Sequence, residues 1–201
     1  MSRGAIIALV IVGVIVLIGL SVFGWAFGTY NKLVSSDETV KQSWGQVETQ
    51  YQRRFDLIPN LVETVKGYAK HESEVFENVA AARSSVGKLT VTPEVLNNPQ
   101  TFQKFQQAQD ALSSALTRLL AVSENYPNLK ADQNFLALQS QLEGTENRIA
   151  VGRERFNLAV QDYNVLVRRI PSSIIASFGG FHERPYFEAQ QGASTAPKVQ
   201  F

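Results

Sequence analysis

Residues 5–27 read AIIALVIVGVIVLIGLSVFGWAF and carry no charge. These 23 residues, rising 1.5 Å each as a helix, reach roughly 34 Å, enough to cross a hydrocarbon core of about 30 Å. A secretory signal peptide has a shorter apolar region, about 7–15 residues, ending in small side chains. Here Val22-Phe23-Gly24-Trp25 puts bulk where a cleavage site needs small residues. The stretch therefore reads as a retained anchor, with Trp25 and Tyr30 in the aromatic belt at its far end. Arg3 precedes it and Lys32 and Lys41 follow. Counting basic residues leaves the side of the soluble part undecided. Gly24 and Gly28 form a G-x-x-x-G pair, a spacing that lets two membrane helices interact closely. Chance placement in a glycine-bearing apolar helix produces the same spacing.

The rest of the composition is restrictive. Of 201 residues, 44% are hydrophobic and 18% charged, below the ~25% charged of a typical soluble domain. Nineteen basic against 18 acidic residues leave a net charge of +1, so no global field gathers nucleic acid. The absence of cysteine excludes disulfides, thiolate metal sites and cysteine nucleophiles. Only His71 and His182 are present, which excludes a histidine-rich metal centre. No cofactor and no small-molecule substrate are expected.

Beyond the anchor, Val40, Trp44, Val47, Tyr51, Ile58, Leu61, Val65, Tyr68, Phe76 and Val79 recur at steps clustering at three, four and seven. That is the seam of a coiled coil or helical bundle. Ser35 or Ser36 is the expected start of this helix, with Asp37 and Glu38 in its first turn. Its end is expected near Gly87, and Pro59 predicts a kink or break near Leu57. A second helix starts at Asn98-Pro99, a cap followed by proline in the first turn. Phe102, Phe105, Leu112, Leu116 and Leu119 form its stripe, and Asn125-Tyr126-Pro127 stops it. Glutamines at 100, 103, 106, 107 and 109 make its outer face inexpensive to desolvate, hence a candidate contact face or an ordinary solvated one. A third helix runs from about Ala131 to Arg169 and stops at Pro171.

The fold class is therefore all-α: an N-terminal transmembrane helix followed by an antiparallel bundle of three long helices, or four if Pro59 splits the first. Residues 1–29 form the tail and anchor, 30–171 the bundle, and 172–201 a C-terminal tail. Ile174 to Phe187 are too apolar for a free linker and are expected to pack on the bundle. Gln190–Phe201 is expected to be flexible.

Few residues suggest chemistry. His71-Glu72 begins an H-E-x-x-H pattern, but Val75 stands at the second ligand position. Glu72, Glu74 and Glu77 then read as a charged helix surface. Arg53, Arg54 and Asp56 form the most suggestive polar cluster, just before Pro59. A structural role has the arginine stems covering apolar surface and the heads paired with Asp56 or with carbonyls freed by the proline. The functional alternative is a lipid or partner phosphate.

The sequence resembles the LemA family of bacterial membrane proteins. The resemblance is carried by Tyr30-Asn31-Lys32-Leu33-Val34, Trp44, and Arg53-Arg54 running into Asp56-Leu57-Ile58-Pro59-Asn60-Leu61-Val62. It continues through Val65-Lys66-Gly67-Tyr68, Ala82-Arg83-Ser84 and Tyr126-Pro127. Leu142-Glu143-Gly144-Thr145-Glu146-Asn147-Arg148-Ile149-Ala150, Arg153-Glu154-Arg155-Phe156-Asn157, Asp162-Tyr163-Asn164, Ile170-Pro171 and Phe187 complete it. Phe156 departs from the family's common tyrosine. The resemblance implies one N-terminal anchor, an antiparallel helical bundle and no known enzymatic activity. It supplies no catalytic residues and no settled biochemical role.

The expected function is that of a non-enzymatic scaffold held in the cytoplasmic membrane by a single span. Its partners would be other copies of itself and other membrane proteins. Two further readings are a bilayer-organising module that uses the apolar tail, and an accessory or enzymatic role for His71 with nearby carboxylates.

Overall fold

The computed structural model describes residues 3–89 and 93–188. The expected flexible end, Gln190–Phe201, lies outside them. Helix α1 (Arg3–Tyr68) is a single element of 66 residues. It carries the apolar stretch at its start and one wall of the bundle at its end. The apolar stretch is long and apolar enough to cross a membrane, and none of it is buried against the rest of the protein.

One expectation about α1 is overturned, and of the kink or break expected at Pro59 the break is overturned. No helix begins at Ser35 or Ser36, because the helix already propagates from the apolar stretch and leaves no free N–H groups to cap. The Ser35 carbonyl instead accepts the Thr39 hydroxyl at 2.9 Å. Nor is the helix broken at Pro59, which lies inside it. Pro59 faces solvent, while Ile58, Leu61 and Val65 beside it are buried. Packing on that inner face holds the helix together despite the missing hydrogen bond. The split falls later, at Ala69–Glu72, before helix α2 (Ser73–Gly87).

Helix α3 (Pro99–Val122) starts as expected, with the Asn98 side chain accepting from the N–H groups of Gln100 and Thr101. A short helix, α4 (Pro127–Lys130), buries Leu129. Helix α5 (Gln133–Arg168) is capped by Asp132, which accepts the Phe135 N–H at 2.8 Å. Helix α6 (Ser172–Gly179) follows Pro171, and Gly180 ends it in the left-handed region, φ 72°. An extended strap, residues 181–188, comes last.

Cross-contacts fix the directions. Arg83 lies over the Phe55 ring at 4.1 Å and Lys66 over Phe76 at 5.6 Å, so α2 runs back along α1. Trp44 meets Phe102, and Arg54 meets Ser113, so α3 runs parallel to α1. Tyr68 meets Asp132, and Arg54 meets Glu146, so α5 returns antiparallel. The result is an up-down-up-down bundle.

On α1 the inward positions are Leu33, Asp37, Val40, Trp44, Val47, Tyr51, Arg54, Ile58, Leu61 and Val65, all buried. They alternate steps of four and three, the heptad pattern of a helix facing one partner throughout. Two of the ten are charged, and both prove to anchor polar networks. The apolar core falls into two clusters. The outer one gathers Ile58, Leu61, Val65, Val79, Leu112, Leu116 and Phe135. The one nearer the apolar stretch gathers Trp44, Tyr51, Phe102, Phe105, Phe156 and Phe187. Helix α2 covers only the first. Over the second, Val95, Leu96 and the strap take its place.

Candidate functional site

The Arg54 side chain fills the level between the two core clusters. It is wholly buried. Its Nη1 donates to Ser113 Oγ at 2.6 Å and to both Glu146 oxygens at 3.1 and 3.2 Å. Its Nη2 donates to the Gln109 side-chain oxygen, and the guanidinium lies 5.2 Å from the Tyr51 ring centroid. A buried charge is tolerated only when paired and hydrogen-bonded, and three helices contribute to that pairing here. The sequence-level cluster does not hold together. Arg53 and Asp56 both face solvent, and Asp56 accepts from Gln52 Nε2 at 2.8 Å. Arg54 sits at an inward heptad position, roughly 100° around the helix from Arg53, and reaches other helices instead.

The glutamine face of α3 is likewise divided. Gln106 and Gln109 are buried, while Gln100, Gln103 and Gln107 are exposed. Gln109 serves Arg54, and Gln106 serves the strap.

Three carboxamides hold the strap by its backbone. Asn164 donates to the Arg184 carbonyl and accepts the Arg184 N–H, both at 2.9 Å. Asn157 does the same for Phe187 at 3.0 and 2.9 Å. Gln106 does so for Glu188 at 2.8 and 3.2 Å. Asn157 and Asn164 lie seven residues apart on one face of α5. Two strap side chains are also bound. Phe187 stacks on Trp44 at 6.1 Å and packs against Phe102 at 4.9 Å, with Arg153 4.9 Å from its ring centroid. Arg184 donates to Asp37 at 2.8 Å and to Asn97. Burial alone would raise the Asp37 carboxyl. Hydrogen bonds from Arg184 and Lys41 and their charges outweigh it and hold the group below its ordinary value. Sequence reading missed these amide pairs, and only the spacing of Asn157 and Asn164 hinted at them.

The remaining candidates separate. His71 is exposed, and Glu72 accepts the Tyr126 hydroxyl at 2.9 Å. Among the described residues no group of three or more His, Asp or Glu is placed to hold a metal. A cleft of about 980 Å³ runs along α1 past Gly45, Glu48, Gln52 and Phe55 toward Gly87 and Gln109. Burial raises the Glu48 carboxyl on its wall. Gly24 and Gly28 stay exposed, and a Cβ at either would meet nothing within 4 Å.

At the start of the bundle, α6 lies against α1 just past the apolar stretch. The Phe181 ring meets Tyr30 edge-on at 5.5 Å. A cleft of about 480 Å³ is bordered by Trp25, Gly28 and Lys32 on one side and Arg169, Ile170 and Pro171 on the other.

Comparison with known proteins places this architecture. The magnetosome proteins MamQ 1 and MamQ 2 of Paramagnetospirillum magneticum are each 24% identical to it, over 97% of this chain and 77% of theirs. Protein LemA of Metamycoplasma hominis is 19% identical over 88% of this chain and 76% of its own. Residues 43–201, which take in nearly all of the bundle and its tail, match the LemA family. The chain therefore belongs to the LemA family.

Proposed function

We propose that this protein is a membrane-anchored, non-enzymatic scaffold whose bundle binds other proteins, further copies of itself included. One observation carries the reading. The apolar segment and the bundle wall are one uninterrupted helix, so a bilayer holding the first part holds the second rigidly. The inward-facing charged groups Arg54, Asp37 and Arg153 are engaged in joining helices and strap to one another. Gly24 and Gly28 on the span and the exposed glutamines of α3 are the contact faces favoured by this reading. Its location is the cytoplasmic membrane, with one span. The test is the mass of the detergent-extracted full chain across a range of concentrations, with crosslinking in intact cells to capture partners. Discrete assemblies are expected, and a strict monomer with no crosslinked partner would sink the reading.

A second reading, a module that organises the bilayer itself, is favoured by the exposed apolar side chains of α6 beside the exit of α1. Two relatives are named as magnetosome proteins, which is compatible with either reading.

A further inference from the structure

Ile170, Ile174 and Phe178 are 80%, 54% and 90% exposed. Ile174 and Phe178 stand four residues apart on α6 and so share one side of it, and Ile170 lies in the turn that leads into it. Large apolar groups exposed together mark a surface that meets something. Their position says what. One end of α6 closes the cleft against Trp25, Gly28 and Lys32. At its other end, Gly179 lies so near Tyr30 that a Cβ would sit 3.2 Å from that ring. Both ends of α6 therefore meet α1 within the seven-residue step from Trp25 to Lys32, about 10 Å of rise. The helix lies level with the end of the apolar stretch. At that end of the stretch Phe23 and Phe27 are 70% and 60% exposed.

The charges at this level match an interface. Lys32 and Arg169 border the cleft. Arg168 is exposed beside them and lies 3.9 Å from Glu183. Basic groups next to apolar ones are the composition of a surface at the headgroup boundary. Gly28 leaves the cleft open, with no atom within 4 Å of where a Cβ would stand.

We propose that the α5–α6 corner is a phospholipid seat. Ile170, Ile174 and Phe178 enter the interfacial layer of the leaflet from which α1 emerges, and the cleft takes one phospholipid, its phosphate held by Lys32 and Arg169. The seat rests on α1 spanning a bilayer and would give the bundle a second grip on it.

The chain lacks cysteine, so single fluorophores can be placed through Ile15→Cys, Phe178→Cys and Lys70→Cys in the full chain. Each variant is reconstituted in vesicles of phosphatidylcholine and phosphatidylglycerol that carry quencher-labelled lipids, shallow or deep. Deep quenching at position 15, shallow quenching at position 178 and none at position 70 are expected. These values should not change on tenfold dilution of protein in lipid. Quenching at 15 without quenching at 178 would overturn the seat and leave the span intact. No quenching at 15 would refute the span, and the seat with it. Blue-shifted emission at 178 that escapes lipid quenching and fades on dilution would assign the patch to a second copy and overturn the seat. With Lys32→Gln and Arg169→Gln together, quenching at 178 should fall about twofold in the anionic vesicles. Unchanged quenching would overturn the phosphate contact.

Discussion

Gly152 on α5 faces Val47 on α1 so closely that a Cβ at Gly152 would lie 3.0 Å from Val47 Cγ2 and 3.7 Å from Val47 Cα. The two longest helices touch here with almost no side chain between them, and both positions belong to inward rows.

The contact sets opposite outcomes for two glycines. Gly152→Leu forces α1 and α5 apart and should destabilise the bundle by about 2–3 kcal/mol. Gly45→Ala, where a Cβ meets nothing, should stabilise it by about 0.5–1 kcal/mol through helix propensity alone. Urea unfolding followed by circular dichroism measures both.

The adjacent arginines should also differ. Arg54→Ala removes the shared partner of Glu146, Gln109 and Ser113 and leaves a void, at a cost of about 2–4 kcal/mol. Glu146 is partly exposed, so water softens the loss on that side. Arg53→Ala, on the solvent face, should cost less than about 0.5 kcal/mol. Equal losses in unfolding midpoint would contradict the network described for Arg54.

Sequence and structure agreed where periodicity was strong and parted where one residue was weighed alone. The apolar rows of α1, α3 and α5 and the Asn98-Pro99 start were legible because they repeat or carry a specific cap. The apolar row of α1 steps by seven from Tyr51 to Ile58, and Arg54 occupies the missing position. Its burial was thus marked in the spacing, but the charge drew attention to its chain neighbour Asp56 instead. Pro59 read alone allows a break, and the packing of Ile58 and Leu61 overrides that break. That the strap packs was legible in its apolar Phe181 and Phe187, but how it is held was not, since backbone recognition by Asn157, Asn164 and Gln106 leaves no pattern in the strap's own side chains.

Pro59→Ala should therefore stabilise. Proline lacks the N–H that would otherwise bond to the Phe55 carbonyl, and its ring faces solvent, so no packing is lost. A gain of about 1–3 kcal/mol is expected, read as a rise in melting temperature. A fall would show that the helix depends on a bend at that residue.

The strap supplies another test. Asn157→Ala removes both hydrogen bonds to Phe187 and should cost about 1–3 kcal/mol. Limited chymotrypsin digestion should then cut at Tyr186 or Phe187 faster than in the parent chain. Unchanged cleavage would show that Phe187 is held by its ring alone.

Acid should loosen the same segment. The Asp37 carboxyl is depressed in the folded chain, so its contribution is complete above the ordinary aspartate value of about 4 and is lost as pH falls through the lower folded value. Melting temperature should decline over that acid range, and Asp37→Asn should flatten the part of the decline due to this group. An identical acid limb in the variant would disprove the assignment.

An unbroken α1 also acts as a ruler. From Phe27 to Tyr68 it rises roughly 60 Å, so in a bilayer the turn at Ala69–Glu72 stands at a fixed height above the lipid, apart from tilt. Anything bound at that tip is held at a set distance from the membrane, and any tilt of the span swings it through a wide arc.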